Sequence, residues 1–294
     1  MEALLLQLFA GVSIGSVLLL AALGLSLTFG QMGVINMSHG EMMMAGAYTA
    51  FVVQQVIGDA GVSLLVSLPV GFVVGGLVGL LVEVLVIRHM YHRPLDTLLV
   101  TFGISLILQQ VARDIFGAPA KQVAAPTWLD GAVDVLGLDL PLARLFILLL
   151  AVVCAGGLAA VMMLTPLGRR LRATVQNRDL AESLGIDTRR TDAMAFFIGS
   201  GLAAVAGVAL TLIGSTGPTL GTTYLVDAFL VVVVGGIGQI RGAVIAAFVL
   251  GLMQSVFEYS TSASIGRVLL LLAVVAFLQL RPQGLFSVRS RSLA

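Results

Sequence analysis

Four polar residues stand between two long apolar segments near the N-terminus and are the first candidates for a functional role. They are Asn36, Ser38, His39 and Glu41. Polar and ionisable groups are costly in lipid and usually face a bundle interior or an aqueous path. The cluster therefore predicts either the lining of a transport path or a polar loop at the membrane surface.

Other polar side chains lie inside or beside apolar segments further along the chain. Such groups could contact a passing solute, or they could pair with a buried arginine, such as Arg113 or Arg241, only to hold a bundle together. The full set of candidate path residues is Asn36, His39, Glu41, Thr101, Gln109, Thr216, Tyr224 and Asp227.

The sequence offers no constellation for catalysis or metal binding. Lys121 is the only lysine, so a phosphate-binding G-x-x-x-x-G-K-[ST] loop is absent and any ATP hydrolysis needs a partner protein. His89 and His92 have no carboxylate or cysteine nearby to complete a zinc site. We expect no catalytic residue, metal or cofactor in this chain, with its single Cys154 inside an apolar run.

The elements that must position these residues are membrane helices. Of 294 residues, 59% are hydrophobic and only 11% are charged, and the mean hydropathy is +1.07. Charge-free runs cover 3–40, 60–82, 145–168 and 193–226, and about 20 apolar residues span a bilayer. The net charge of +1 provides no basic surface for nucleic acid. We predict an all-α, polytopic transmembrane bundle of about eight segments, in one domain over 1–294.

Hydropathy predicts seven uninterrupted helices. Their bounds are Leu4–Phe29, Glu41–Ile57, Val62–Ile87, Thr97–Phe116, Leu142–Leu164, Ala193–Ile213 and Val268–Leu280. Loops rich in arginine face the cytoplasm. This rule places the loop 165–192, the loop before Pro94, and the tail with Arg281, Arg289 and Arg291 inside, and the loop 117–141 outside.

The stretch 224–257 is predicted to be broken. It contains Gly235, Gly236 and Gly238, followed by Arg241, and one full crossing there would place the last helix on the wrong side. We expect either two shorter segments that enter and return, as in transporters, or a short loop between ordinary helices. Small residues four apart predict close helix packing. They are Gly71, Gly75 and Gly79; Gly199, Ala203 and Gly207; and Gly11 with Gly15.

The loop 165–192 is predicted to hold one amphipathic helix. Between Leu171 and Leu184, apolar side chains recur at near-helical spacing, and Gly185 is suited to the left-handed position that ends a helix. Apolar residues on a helix in a polar loop favour docking into a groove of another protein. The alternative is a helix that lies among lipid headgroups.

Several strings resemble the permease subunits of ABC importers of the branched-chain amino acid class. They are GVINMSHGE at 33–41, DLAESLGI at 179–186 and RPQGLF at 281–286. Within that class, LVTFGISLILQQ at 99–110, PTWLD at 126–130 and GTTYLVDAFLVVVVGG at 221–236 resemble the urea-importing branch most closely.

The resemblance implies a multi-pass permease of the bacterial cytoplasmic (inner) membrane, which is not itself an enzyme. Its partners would be a second homologous permease, two cytoplasmic ATPases that bind ATP and Mg²⁺, an extracytoplasmic substrate-binding protein, and lipid. The loop 165–192 would be the coupling loop. Its expected ATPase contacts are Arg178, Asp179, Ala181, Glu182 and Gly185.

The resemblance favours urea as the substrate, and a neutral solute suits hydrogen-bonding side chains such as Asn36, Thr101 and Gln109. The nearest alternative is an importer of the same family that carries leucine, isoleucine or valine. An alternative from another class of protein is a secondary transporter that uses Glu41 or Asp227 as a proton or ion site.

Overall fold

The computed structural model describes residues 2–33, 35–91, 93–135 and 138–286, which fold mainly into α-helices. The helices are α1 (Glu2–Met32), α2 (His39–Ile57), α3 (Ala60–Leu85), α4 (Pro94–Phe116), α5 (Leu142–Leu164), α6 (Pro166–Gln176), α7 (Arg178–Ser183), α8 (Thr188–Leu210), α9 (Leu220–Gly235), α10 (Ile240–Ser260) and α11 (Ala263–Leu280). Within the described ranges, the only sheet is an antiparallel hairpin of β1 (Ala132–Val135) and β2 (Leu138–Pro141). His92, Arg289 and Arg291, which entered the predictions above, lie outside the described residues.

Seven described helices are long and apolar enough to cross a membrane, namely α1, α3, α4, α5, α8, α10 and α11. α2, with 19 residues, and α9, with 16, lie in the same bundle. The predicted polytopic helical fold is confirmed.

Six of the seven helices begin earlier than hydropathy predicts, and in three of them a polar residue caps the first turn. α8 begins at Thr188 rather than Ala193, and the side chain of Asp187 accepts a hydrogen bond from the backbone N–H of Arg190. Asp59 and Ser262 cap α3 and α11 in the same way. A capping side chain satisfies an N–H that has no partner inside the helix.

The centre of the bundle is formed by α1 and α8, the two most buried of the membrane-length helices. A Cβ on Gly199 of α8 would lie 2.6 Å from Cγ2 of Thr28 and 2.8 Å from the carbonyl oxygen of Gly24, both on α1. A Cβ on Gly207 would overlap the carbonyl oxygen of Met43 on α2. Only glycine allows these backbones to approach so closely.

The other small-residue patterns also mark close packing. A Cβ on Gly75 or Gly79 of α3 would overlap Ala204 or Ser200 of α8. On α1, a Cβ on Gly11 would lie 2.7 Å from Cδ2 of Leu252, on α10. The predicted role of these residues in close helix packing is confirmed.

The predicted break is present over 236–239, between α9 and α10, where Gly236 and Gly238 have φ values of +100° and +75°. The expectation of two short segments holds for α9 but is wrong for α10, which has 21 residues and is long enough to cross a membrane. The reason is that the apolar run after Arg241 continues without another charge to Phe257.

The arginine-rich loops and the tail meet at one end of the bundle. The guanidinium of Arg178 lies over the ring of Tyr91, 5.1 Å from its centroid. The tail reaches the end of α9, since the N–H groups of Leu285 and Phe286 donate to the carbonyl oxygens of Val234 and Gly235 at 2.8 and 3.3 Å. These segments therefore share a side of the membrane, as the charge count predicts, and we call this the coupling-loop end.

The loop 165–192 contains two short helices, α6 and α7, so the expectation of one helix over 171–184 is wrong. Asn177 between them is extended, with φ −159° and ψ 107°, and its side chain accepts from the N–H of Leu180. This residue ends α6 and caps α7. The predicted left-handed Gly185 is confirmed at φ +81°, and the N–H of Ile186 donates to the carbonyl oxygen of Ala181 in a Schellman motif.

Candidate functional site

The first polar cluster lies deep in the bundle and not in a surface loop. Nε2 of His39 lies 3.4 Å from the carbonyl oxygen of Ala21. Ala21 precedes the end of α1 at Met32 by about 16 Å along the helix axis, at 1.5 Å per residue. α2 therefore begins beside the middle of α1 and not beyond its end.

Asn36 sets the start of α2. Its Oδ1 accepts hydrogen bonds from the backbone N–H of Ser38 at 3.0 Å and from the Ser38 hydroxyl at 2.6 Å. An asparagine that binds the backbone two residues on forms a local turn and needs no distant partner. Asn36, Ser38 and His39 are all buried. The turn allows the chain to change direction at membrane depth.

Glu41 joins α2 to α4. Its Oε1 accepts from the hydroxyl of Ser105 at 2.7 Å and from Nε2 of Gln109 at 2.9 Å. One turn earlier on α4, Oγ1 of Thr101 accepts from the backbone N–H of Met37 at 3.1 Å. The structure thus brings Asn36, Glu41, Thr101 and Gln109 to one place.

Sequence reasoning missed Ser105 in this group. Thr101, Ser105 and Gln109 follow one another at intervals of four residues, which places them on one face of a helix. That spacing was the available signal.

The remaining candidates lie elsewhere. Thr216 pairs with Lys121 through two backbone hydrogen bonds of 2.7 and 2.8 Å, in the loops at the end opposite the coupling-loop end. Tyr224 and Asp227 lie on α9, within electrostatic range of Arg267 on α11. The predicted path residues therefore form two groups inside the bundle and one contact outside it.

A cavity of about 370 Å³ lies between α2, α3 and α4. Its wall includes Met44, Val74 and Leu108, and the ring of Tyr48, which stacks on Phe116 with 4.2 Å between centroids. Glu41 borders the cavity, but its carboxylate oxygens are covered. The cavity is suited to an apolar group.

Arg178, the first residue of α7, ties the loop 165–192 to the membrane helices. Its guanidinium donates to Oδ2 of Asp192 at 2.7 Å and to Oγ1 of Thr188 at 3.2 Å. Asp192 is fully buried, and its Oδ1 accepts from Nε2 of Gln31 on α1 at 3.3 Å. One buried carboxylate therefore attaches α7 to both α1 and α8.

A second buried acid extends this network to α3. Oε2 of Glu83 pairs with Arg88 at 3.1 Å, and Oε1 accepts from the hydroxyl of Tyr91 at 2.7 Å. Burial, together with the nearby carboxylate of Asp192, raises the pKa of the Tyr91 phenol, so this hydroxyl stays protonated and donates. The coupling-loop end is thus held by a network that reaches α1, α3, α7 and α8.

The outer surface of the loop is partly apolar. Val175, Leu180 and Leu184 are 47%, 56% and 74% exposed. Among the expected ATPase contacts, Asp179, Glu182 and Gly185 face outward as well, whereas Ala181 is buried and Arg178 points to Asp192.

Comparisons with known proteins agree along nearly the whole chain. A family model described as the permease component of the branched-chain amino acid transport system matches residues 7–278. LivH of Salmonella typhimurium, a high-affinity branched-chain amino acid transport system permease protein, is 28% identical over 95% of this chain and 94% of its own length. LivH of Escherichia coli K12 and BraD of Pseudomonas aeruginosa, which carry the same description, are each 29% identical over the same shares. No solved structure matches the chain.

Proposed function

The chain belongs to the branched-chain amino acid transport system permease family, and from this premise we propose that it is a membrane subunit of an importer that moves a branched-chain amino acid through the bacterial inner membrane. The relatives at 28–29% identity are described as permeases for this substrate class. Their descriptions give no support to urea, which was the first expectation from the sequence. The aliphatic wall of the cavity between α2, α3 and α4 also suits a solute with an apolar side chain.

The observation that carries the importer assignment is the structure of the loop 165–192. It exposes Leu180 and Leu184, one turn apart on the same face, although the loop is otherwise polar. The same short helix is held to the membrane helices through Arg178 and Asp192. An apolar patch on a firmly held loop is suited to bind a cytoplasmic ATPase and to pass its movement to the bundle.

The proposed complex contains this chain, a second homologous permease, two ATPases that bind ATP and Mg²⁺, and an extracytoplasmic binding protein. This chain supplies no phosphate-binding loop, so ATP hydrolysis takes place on its partners.

ATP hydrolysis by the complex that co-purifies with this chain tests the proposal. The complex is reconstituted in lipid with its binding protein, and leucine is compared with urea. Stimulation by leucine alone is expected. Stimulation by urea alone would support the importer assignment but contradict the proposed substrate. If no ATPase co-purifies, an ion-coupled transporter would be favoured instead.

A variant pair tests the docking surface. Leu180→Asp with Leu184→Asp removes two apolar contacts, each worth about 1.5–3 kcal/mol if fully buried, so ATPase recovery is expected to fall at least tenfold. Ser183→Asp on the same helix adds a charge without removing an apolar side chain and serves as the control. Normal ATPase recovery with the Leu180→Asp, Leu184→Asp double variant would contradict the docking proposal.

A further inference from the structure

The cavity between α2, α3 and α4 lies in the part of the bundle far from the coupling-loop end. α4 begins three residues after Tyr91, which belongs to that end, and it lines the cavity with its second half, from Leu108 to Phe116. On α2 the wall begins at Glu41, two residues after His39, whose ring contacts the middle of α1. The cavity therefore runs from the middle of the bundle toward the side opposite the coupling loop.

Two buried polar atoms in the wall of this cavity have no hydrogen-bond partner among the described residues. They are Oε2 of Glu41 and the hydroxyl oxygen of Tyr48, whose residues are 1% and 3% exposed. Ser105 and Gln109 hold the other carboxylate oxygen, Oε1, and no ion pair of the described residues includes Glu41. A buried polar atom without a partner is costly, so a ligand that supplies the partner is favoured.

The spacing of these two atoms suits the head of an amino acid. Glu41 and Tyr48 are two turns apart on α2, so their α-carbons are separated by about 10.5 Å along the helix axis. The ammonium and carboxylate of one amino acid, each with a hydrogen bond of about 2.8 Å, span about 9 Å. Met44, Val74 and Leu108 add an aliphatic surface to the same wall. The cavity thus offers an acceptor, a donor and an apolar surface.

We propose that this cavity holds a branched-chain amino acid on its way through the bundle. The substrate ammonium donates to Oε2 of Glu41, and the hydroxyl of Tyr48 donates to the substrate carboxylate; hydrogen bonds to charged groups are the strong ones. The aliphatic side chain packs against Met44, Val74 and Leu108. The site rests on the proposed function, because it is where that importer would contact its substrate.

Access to Glu41 and Tyr48 requires a movement of α4, since both polar atoms are covered in this structure. α4 contacts the rest of the bundle mainly through α2. Hydrogen bonds from Ser105 and Gln109 keep the first part of α4 attached, whereas the turns after Gln109 border the cavity. In the proposal, a shift of these last turns uncovers the two atoms and leaves the hold on Glu41 unchanged.

The chemistry of the wall favours an amino acid over the other possible occupants. A lipid acyl chain would leave Oε2 of Glu41 and the hydroxyl of Tyr48 without partners, which is costly at membrane depth. Urea could bind these two atoms, but its remaining polar groups would then face an aliphatic wall. An amino acid with an aliphatic side chain satisfies both parts of the cavity.

ATP hydrolysis by reconstituted complexes tests the two polar contacts. Glu41→Gln removes the charge but keeps an acceptor oxygen for Ser105 and Gln109, and Tyr48→Phe keeps the ring that stacks on Phe116. Losing one hydrogen bond to a charged group is expected to lower the maximal rate of leucine-stimulated hydrolysis about tenfold or more in each variant.

Matched controls and the wild-type complex separate the two proposals. Glu258→Gln and Tyr259→Phe make the same changes away from the cavity, since Glu258 already accepts from Gln254 and Tyr259 is 71% exposed. If leucine does not stimulate the wild type, the proposed function fails. If leucine stimulates the wild type and either cavity variant keeps its maximal rate, the importer stands and the site is overturned. A loss as large in Glu258→Gln would also overturn the site.

A bulkier wall tests the cavity without changing its polar atoms. Val74→Phe adds a ring to the cavity wall and is expected to lower the leucine response at least tenfold while the unfolding midpoint stays near that of the wild type. Val153→Phe makes the same change on α5, where Val153 is 60% exposed, and should respond normally. A normal leucine response in Val74→Phe would contradict the proposal.

Thiol labelling distinguishes a water-filled cavity from one filled with lipid. Cys154 is the only native cysteine, so a Cys154→Ala background leaves no other thiol in this chain. A charged methanethiosulfonate reagent is expected to label Val74→Cys rapidly, because thiols ionise in water, and the leucine-loaded binding protein slows the reaction. Val153→Cys is the matched control. Labelling of Val74→Cys no faster than this control would show a lipid-filled cavity and overturn the proposal.

Discussion

Removing the buried Asp192 carboxylate or its arginine partner is expected to destabilise the whole bundle. Asp192 is fully buried and accepts hydrogen bonds from Arg178 at 2.7 Å and from Gln31 at 3.3 Å. Breaking a buried ion pair by removing one partner costs about 3–5 kcal/mol, because the other charge remains without compensation. Arg178→Leu leaves the Asp192 carboxylate buried without its cation, with only the hydrogen bond from Gln31 remaining.

The double variant is expected to be far less harmful than the single ones. When both charges are replaced by apolar groups of similar volume, the change in stability is often small. Arg178→Leu with Asp192→Leu should therefore recover most of the stability that either variant loses alone. Because the double variant then loses less than either single variant, the interaction term should exceed the loss of one single variant, which is about 3–5 kcal/mol.

The assay is the unfolding midpoint of the purified complex in detergent, followed by size-exclusion chromatography after heating. One kcal/mol shifts the midpoint of a domain of 150–250 residues by about 2–4 °C. At the lower end of that scale, Arg178→Leu lowers the midpoint by roughly 6–10 °C. If the two single losses simply add in the double variant, Arg178 and Asp192 do not stabilise each other and the reasoning is refuted.

Two further substitutions test the packing and the site. Gly207→Val places a Cβ on the carbonyl oxygen of Met43 and is expected to abolish the monodisperse elution peak, whereas Gly103→Val, with open space around it, should elute normally; a normal peak for Gly207→Val would contradict the packing. Glu41→Ala leaves two buried donors on α4 without their acceptor and should cost about 2–4 kcal/mol, seen as a lower unfolding midpoint, whereas Glu41→Gln, which retains an acceptor oxygen, should cost less; equal losses would contradict an acceptor role.

The membrane-length helices could be predicted because lipid requires long apolar runs, and such runs are visible in one sequence. Polar groups are costly in lipid, so the cluster of Asn36, Ser38, His39 and Glu41 between two apolar runs could also be recognised from the sequence. Its depth could not be predicted, because α2 begins beside the middle of α1 and not beyond its end. This arrangement is seen in the contact between His39 and Ala21, which are 18 residues apart.

Pairings between distant residues were beyond the reach of sequence reasoning. Arg178 was expected to face an ATPase, but its side chain points to Asp192, and nothing in the local sequence marks that partner. The division at Asn177 had a local signal, because asparagine is a good N-cap, but the apolar spacing from Leu171 to Leu184 concealed it.

The order in which the ribosome makes the chain gives the tail a special place in assembly. The N–H groups of Leu285 and Phe286 donate to the last carbonyl groups of α9, so the junction between α9 and α10 stays incomplete until residues 285 and 286 leave the ribosome. α1 is made before α8 and α10, yet it packs against both of them. Until α8 and α10 are inserted, the face of α1 that carries Gly11 and Gly15 is therefore covered by lipid or by a chaperone.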